Sequence, residues 1–356
     1  MIDAATGTVR WDVVTYPNLT GRYPFHVEVA MSPDGKFVAS VGESEENWKL
    51  WDAASGALWM AGAKHDGTGA CICDRSEGEE VAEGCPVQAH TSQAGALTFS
   101  PCGQRLATGG QDNAVILWDA KSGKAEHVMR RHSSSISSVS FSADGVRLAS
   151  GSYDGSICVW DASGSLLRTI PEGDGPSTTP CSWGLRFCPT DSSRLFSVRN
   201  SVKEWDVDSG QLKNTFEGMF VCQFSSDGLT MAVASPPEGI EEAAYVILVD
   251  PESGFVRLRL AESEAGGILC ASWSPDGSKI ASGGHDETCR VLDSSTGQLL
   301  NTFQLEHSCC SLSWGRDWVQ DTQRAAFAMG HHPRLGGGSQ VLDLEVGVVK
   351  MILDRV

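Results

Sequence analysis

Two sets of four side chains have the types and spacing to form a polar relay. His90, Thr108, Asp112 and Trp118 stand at offsets 0, 18, 22 and 28, and His132, Ser150, Asp154 and Trp160 repeat the same four offsets. An indole N–H wants an acceptor once it is buried. A Ser or Thr hydroxyl can take that bond and pass one to an imidazole, whose other nitrogen meets a carboxylate. A fully paired chain of this kind pins strands to one another, so these residues read as structural and not catalytic. Elsewhere, Cys71, Cys73 and Cys85 with the flanking His65 and His90 raise the question of zinc. Two cysteines one residue apart do not match the usual C-x₂₋₄-C pair, and His90 is better used by its relay. No metal and no cofactor is expected. The chain has no G-x-S-x-G elbow, no H-E-x-x-H and no G-x-x-x-x-G-K-[ST] loop. His331 and His332 have no carboxylate near them in sequence. Cys158, Cys222, Cys270 and Cys289 read as small buried apolar residues, and the neighbours Cys309 and Cys310 point to opposite faces of a strand and cannot bond to each other.

Relays at fixed spacing need a repeated frame, and the chain supplies one. A strand-like run leads to Ser-x-Asp-Gly, a second run ends in Ala-Ser or Ala-Thr, and an apolar run closes on Trp-Asp. The clearest copies cover residues 97–119 and 139–161. Closing aspartates at Asp52, Asp119, Asp161, Asp206, Asp250, Asp293 and Asp343 are separated by 67, 42, 45, 44, 43 and 50 residues. A period of a little over forty residues is that of four strands making one propeller blade. Later copies are worn. In the sixth the relay positions hold Glu264, Ser282, Asp286 and Leu292, and the fourth keeps Ser197 and Trp205 without the Asp.

These phrases resemble the WD-repeat β-propeller family over nearly the whole chain. The resemblance implies one domain, residues 1–356, built as an all-β propeller of seven blades with four antiparallel strands each. It also implies that His, Ser/Thr, Asp and Trp form a hydrogen-bonded tetrad within a blade. Residues 9–14 and 348–353 compete as the outer edge of the last blade, since propellers hide their first and last edges. Family members that serve cullin–RING ubiquitin ligases carry Trp-Asp-x-Arg. Here the phrases run on to Ala54, Lys121, Ser163 and Asp208, which weakens that subfunction.

Composition narrows the partners. Lys and Arg number 27 against 45 Asp and Glu, a net charge of −18, which disfavours nucleic acid and anionic membrane surfaces. No apolar run approaches the roughly 20 residues of a membrane helix, and the first residues lack a signal-peptide pattern. The expected location is the cytoplasm, with the nucleus as alternative. Asn18-Leu19-Thr20 fits a glycosylation acceptor, which matters only in a secreted protein. By analogy with the family, the turns within hairpins one and three of a blade lie on one rim and are short here. The long connections 62–89, 171–181, 236–244 and 330–340 lie on the other. The loop 62–89 is an acidic insertion with six carboxylates, Glu79 and Glu80 among them, against Lys64 and Arg75, and the four loops together carry −8. Gln111, Tyr153 and His285 each precede a relay-type Asp, at the slot that in WD-repeat proteins often faces bound peptides. The expectation is a monomeric, non-catalytic scaffold that binds other proteins, basic segments in particular, on the loop-rich rim. Two alternatives stay open: a regulatory propeller that is a fragment of a larger multidomain protein, and a propeller enzyme with a central-channel site.

Overall fold

The Trp-Asp phrase does two separate jobs. The Trp ends a buried strand, and the Asp caps the turn that follows. Asp119 Oδ1 accepts both the N–H and the hydroxyl of Ser122 at 2.7 Å, and Asp206 does the same for Ser209 at 2.8 Å. A carboxylate that accepts bonds from the next three residues fixes a tight reversal. Glycine completes it. Gly164 has φ +78°, and a Cβ there would stand 2.9 Å from His127 Cβ of the preceding blade, so both the left-handed backbone and the close approach demand glycine.

The computed structural model describes residues 28–41, 46–63, 90–172, 184–198, 201–217, 222–235, 244–263, 268–284, 286–305, 308–313 and 330–332. They form six four-stranded antiparallel sheets, each a simple meander in chain order. Blade 1 comprises β1 (Glu28–Met31), β2 (Phe37–Val41), β3 (Glu46–Asp52) and β4 (Leu58–Ala63). Blade 2 comprises β5 (Ala94–Phe99), β6 (Arg105–Gly110), β7 (Ala114–Asp119) and β8 (Ala125–Arg130). Blade 3 comprises β9 (Ile136–Phe141), β10 (Arg147–Ser152), β11 (Ser156–Asp161) and β12 (Leu166–Pro171). Blade 4 comprises β13 (Gly184–Cys188), β14 (Asp191–Val198), β15 (Ser201–Asp206) and β16 (Leu212–Glu217). Blade 5 comprises β17 (Cys222–Phe224), β18 (Met231–Ser235), β19 (Ala244–Val249) and β20 (Val256–Ser263). Blade 6 comprises β21 (Ile268–Trp273), β22 (Lys279–Gly284), β23 (Thr288–Asp293) and β24 (Leu299–Gln304).

Among the described residues the propeller therefore has six four-stranded blades, not the seven that the closing aspartates suggest. After blade 6 the described residues give only a two-stranded sheet, β25 (Ser308–Ser311) with β26 (Gly330–His332). The seventh mark, Asp343, lies outside the described residues, as do 9–14 and 348–353. The reason for the miscount is physical. The closing phrase encodes a turn cap, and a turn cap does not by itself supply four strands. The stretch before Asp343 lacks the Ser-x-Asp-Gly turn that blades 1, 3, 5 and 6 carry. Innermost strands touch in the order β1, β5, β9, β13, β17, β21, and β25 packs between β21 and β1. Met31 donates its N–H to Ser313 Oγ at 3.1 Å across that junction.

The core lies between blades. Leu106, Ile116 and Trp118 pack toward Trp48 and Leu50 of blade 1. Their strand neighbours Ala107, Val115 and Leu117 pack toward Ile136, Val139 and Leu148 of blade 3. Successive side chains of a strand point to opposite faces, so a middle strand covered on both faces must be a continuous apolar run. The outermost strands have no such cover, and β12 and β24 are mostly exposed.

Candidate functional site

The structure brings together all four members of each relay. In blade 2 the Trp118 indole N–H donates to Thr108 Oγ1 at 2.8 Å. Thr108 Oγ1 lies 2.8 Å from His90 Nε2, and His90 Nδ1 lies 2.9 Å from Asp112 Oδ1. A carboxylate can only accept, so Nδ1 carries the proton and the neutral Nε2 accepts from the Thr108 hydroxyl. Every donor then has an acceptor. Asp112 Oδ2 also accepts the Thr91 N–H at 2.9 Å. Burial works against this carboxylate's charge, but the hydrogen bonds from His90 and from the Thr91 and Ala114 backbone N–H groups outweigh it and hold its pKa below the usual range. Gly110 is required here, because a Cβ would collide with the Asp112 carboxylate and His90 Nδ1.

Blade 3 repeats the geometry. Trp160 Nε1 donates to Ser150 Oγ at 2.9 Å, His132 Nε2 is 2.9 Å from the same oxygen, and His132 Nδ1 is 3.0 Å from Asp154 Oδ2. Burial pushes the His132 imidazole below its ordinary pKa, against the pull of Asp154. Worn blades keep parts. Trp51 donates to Ser40 Oγ at 3.1 Å and Trp205 to Ser197 Oγ at 2.9 Å. In blade 6 Leu292 and Ser282 are buried, Glu264 lies outside the described residues, and Asp286 accepts from Arg290 Nη1 at 2.7 Å.

The rim candidates are placed less completely. Gln111 is exposed at the turn between β6 and β7, and its Nε2 donates to Gln93 Oε1 at 3.0 Å. Tyr153 is half-buried at the equivalent turn of blade 3, with its N–H on the Ser135 carbonyl at 3.1 Å. His285, Glu79 and Glu80 lie outside the described residues, as do His65, Cys71, Cys73 and Cys85. Among the described residues no group of three or more His, Cys, Asp or Glu could hold a metal ion.

Sequence reasoning missed the charges on the innermost strands. Glu28 Oε2 on β1 accepts the Leu97 N–H of blade 2 at 2.9 Å. Burial raises this carboxyl's pKa, and the Arg186 charge and the Leu97 bond oppose it. Arg186 on β13 donates to the Leu185 carbonyl at 2.7 Å, and the Gln223 amide oxygen of blade 5 accepts from its Nε at 3.1 Å and Nη2 at 2.9 Å. Each group thus ties one blade to the next. The partners lie 69 and 37 residues apart in sequence, and no local pattern marks such pairs.

Comparison with known proteins agrees with this architecture. The family described as "WD domain, G-beta repeat" matches residues 84–119 and 123–161, and the "Anaphase-promoting complex subunit 4 WD40 domain" matches residues 256–317. A guanine nucleotide-binding protein subunit beta of Arabidopsis thaliana is 24% identical over 61% of this chain and 60% of its own length. The Oryza sativa subsp. japonica protein of the same name is 24% identical over 62% of this chain and 60% of its own. WD repeat-containing protein 1 of Mus musculus is 30% identical over 28% of this chain and 16% of its own length. The chain thus spans less than two thirds of the relatives it matches. Blade topology, relay geometry and these matches together support a WD-repeat β-propeller.

Proposed function

We propose that the propeller is a non-catalytic platform for protein–protein contacts, engaged on the loop-rich rim around Gln111 and Tyr153. The observation that supports this most is the use of the His–Asp–hydroxyl groups. In both complete relays the imidazole nitrogens are engaged with carboxylate and hydroxyl inside the blade, which leaves the turns above them as the presented surface. Loops are where a rigid scaffold carries its contacts. The matched guanine nucleotide-binding relatives and one matched family are named as subunits, which supports a role inside an assembly. The acidic composition of residues 62–89, Glu79 and Glu80 included, favours basic partner segments. Affinity purification with mass spectrometry, run with the wild type and Tyr153→Ala, tests the reading; an identical partner set in the variant removes it. For any partner so found, binding that does not weaken with added salt removes the electrostatic part.

A further inference from the structure

Ten large apolar side chains among the described residues are exposed: Trp59, Val146, Leu166, Leu167, Leu212, Leu229, Phe255, Val256, Leu299 and Leu300. All belong to the turns joining strands one and two of a blade, or to the start of its outermost strand. That is the short-turn rim, opposite Gln111 and Tyr153. Single exposed apolar residues are ordinary, but clustered ones mark a contact surface. Five of the ten belong to blades 5 and 6: Phe255 is 70% and Leu229 62% exposed, and Val256, Leu299 and Leu300 are exposed as well. Arg257 Nη1 donates to Thr230 Oγ1 at 3.1 Å, which sets the Leu229 turn beside the start of β20. The two blades share a seam there, since Leu258 and Leu260 of β20 pack on Gly297 in the turn before β24.

Large apolar groups are not obligatory at these positions in every blade: blade 2 has Ala125 and Glu126, the latter paired with Arg105 at 2.8 Å, although blades 1, 3 and 4 also start the outermost strand with Leu58, Leu166 and Leu212. The charges around the patch are mainly acidic. Asp227, Asp250, Glu252, Asp276 and Asp293 stand against Arg257 and Lys279. Arg257 is engaged with Asp250 at 2.7 Å and with Thr230 Oγ1 at 3.1 Å. The Glu252 side chain is 83% exposed, and its nearest cation is Arg194 at 3.8 Å.

We propose that the short-turn rim of blades 5 and 6 docks a basic amphipathic segment of a partner protein. Its apolar residues cover Leu229, Phe255, Val256, Leu299 and Leu300, and its flanking Lys or Arg meet the carboxylates. This surface is separate from the loop-rich rim and does not depend on it. The test is fluorescence anisotropy of a labelled Leu/Lys amphipathic peptide titrated with the full chain, beside a Leu/Glu peptide of equal length. The Leu/Lys peptide binds at least tenfold tighter than the Leu/Glu peptide. The double variant Phe255→Ser, Leu299→Ser changes no charge and weakens Leu/Lys binding at least tenfold, while its thermal midpoint stays near the wild type because both side chains are exposed. Tyr153→Ala leaves binding unchanged. Equal binding by the double variant, equal binding of the two peptides, or loss with Tyr153→Ala overturns the proposal. A self-association in solution that the double variant abolishes also overturns it, by assigning the patch to a second copy of the chain.

Discussion

Arg194 and Glu204 form a shielded ion pair inside blade 4, with Nε 2.7 Å from Oε1 and the carboxylate 3% exposed. Asn214 Nδ2 donates to the other carboxylate oxygen at 2.6 Å. Arg194 also reaches blade 5, donating from Nη2 to the Pro251 carbonyl at 3.3 Å. Equivalent arginines start the second strand of blades 2 and 3. Arg105 donates to the Ala162 carbonyl at 3.2 Å, and Arg147 reaches the Ser192 carbonyl at 3.4 Å and Asp208 at 2.8 Å. A recurrent arginine thus latches each of three blades onto the next.

Removing one partner of a buried pair leaves the other charged and unpaired, at a cost of about 3–5 kcal/mol. Arg194→Met is expected to lower the unfolding free energy measured by urea titration by that amount, and adding Glu204→Met to recover most of it. Failure of the second substitution to recover stability shows that the inter-blade bond to Pro251, and not the ion pair, carries the effect.

The relay in blade 3 makes stability depend on pH. Burial lowers the His132 pKa from its ordinary 6.5, and Arg131 adds to that while Asp154 opposes it. As pH falls past this value the unfolded chain takes up the proton first. The contribution of the neutral folded imidazole is whole above about pH 6.5 and erodes below it. Asp112 and Asp154, whose pKa values are depressed, hold their contribution until the pH falls through the carboxylate range and lose it below. Glu28 has the opposite sign, since its raised pKa means that ionisation costs stability as pH rises. Urea midpoints measured between pH 7.5 and 5.5 should fall in the wild type and flatten in His132→Gln. An unchanged slope in the variant contradicts the assignment to His132.

The two complete relays were legible in the sequence because their members repeat at fixed offsets within one unit. The blade count was not, since a closing Asp in the sequence encodes only a turn cap and says nothing about how many strands precede it. The arginine latches were also hidden, because Arg105 and Ala162 lie 57 residues apart and the link exists only once blades are set side by side. Leu166, Leu299 and Leu300 are apolar and yet exposed. Alternation tells which residues share a face of a sheet, and it cannot tell that the outermost strand has nothing beyond it.

Glu287 is the residue after the relay-type Asp of blade 6 and has φ +59°, where blade 2 has Asn113 at +63° and blade 3 has Gly155 at +80°. A side chain with a Cβ pays about 1–2 kcal/mol in this region. The Glu287 carbonyl accepts the Leu305 N–H at 2.8 Å and Gln304 Nε2 at 3.1 Å, and both bonds survive truncation of the side chain. Glu287→Gly should therefore raise stability by up to about 1 kcal/mol, after the entropy cost of glycine. Glu287→Val should lower it. A thermal unfolding series of the two variants measures the difference, and a destabilised glycine variant contradicts the strain.

Cys102 occupies a slot that four other blades give to a carboxylate. Ser32, Ser142, Ser225 and Ser274 donate from Oγ to Asp34 at 2.7 Å and to Asp144, Asp227 and Asp276 at 2.6 Å. Backbone N–H groups of Lys36, Val146, Leu229 and Ser278 add a second bond at 2.9–3.1 Å. In blade 2 the thiol sits in the same cradle, with Ser100 Oγ at 3.4 Å. The Ser100 bond, with the Gln104 backbone, lowers its pKa and favours the thiolate. Cys102 is exposed, whereas Cys158, Cys188, Cys270 and Cys289 are buried. Iodoacetamide should label Cys102 ahead of those four in the folded protein, and Ser100→Ala should slow it. Cys102→Asp should raise the urea midpoint, because a carboxylate accepts both bonds that the cradle offers. Labelling at the rate of the buried four, or a lower midpoint in Cys102→Asp, shows that the blade 2 cradle has lost its preference for an anion.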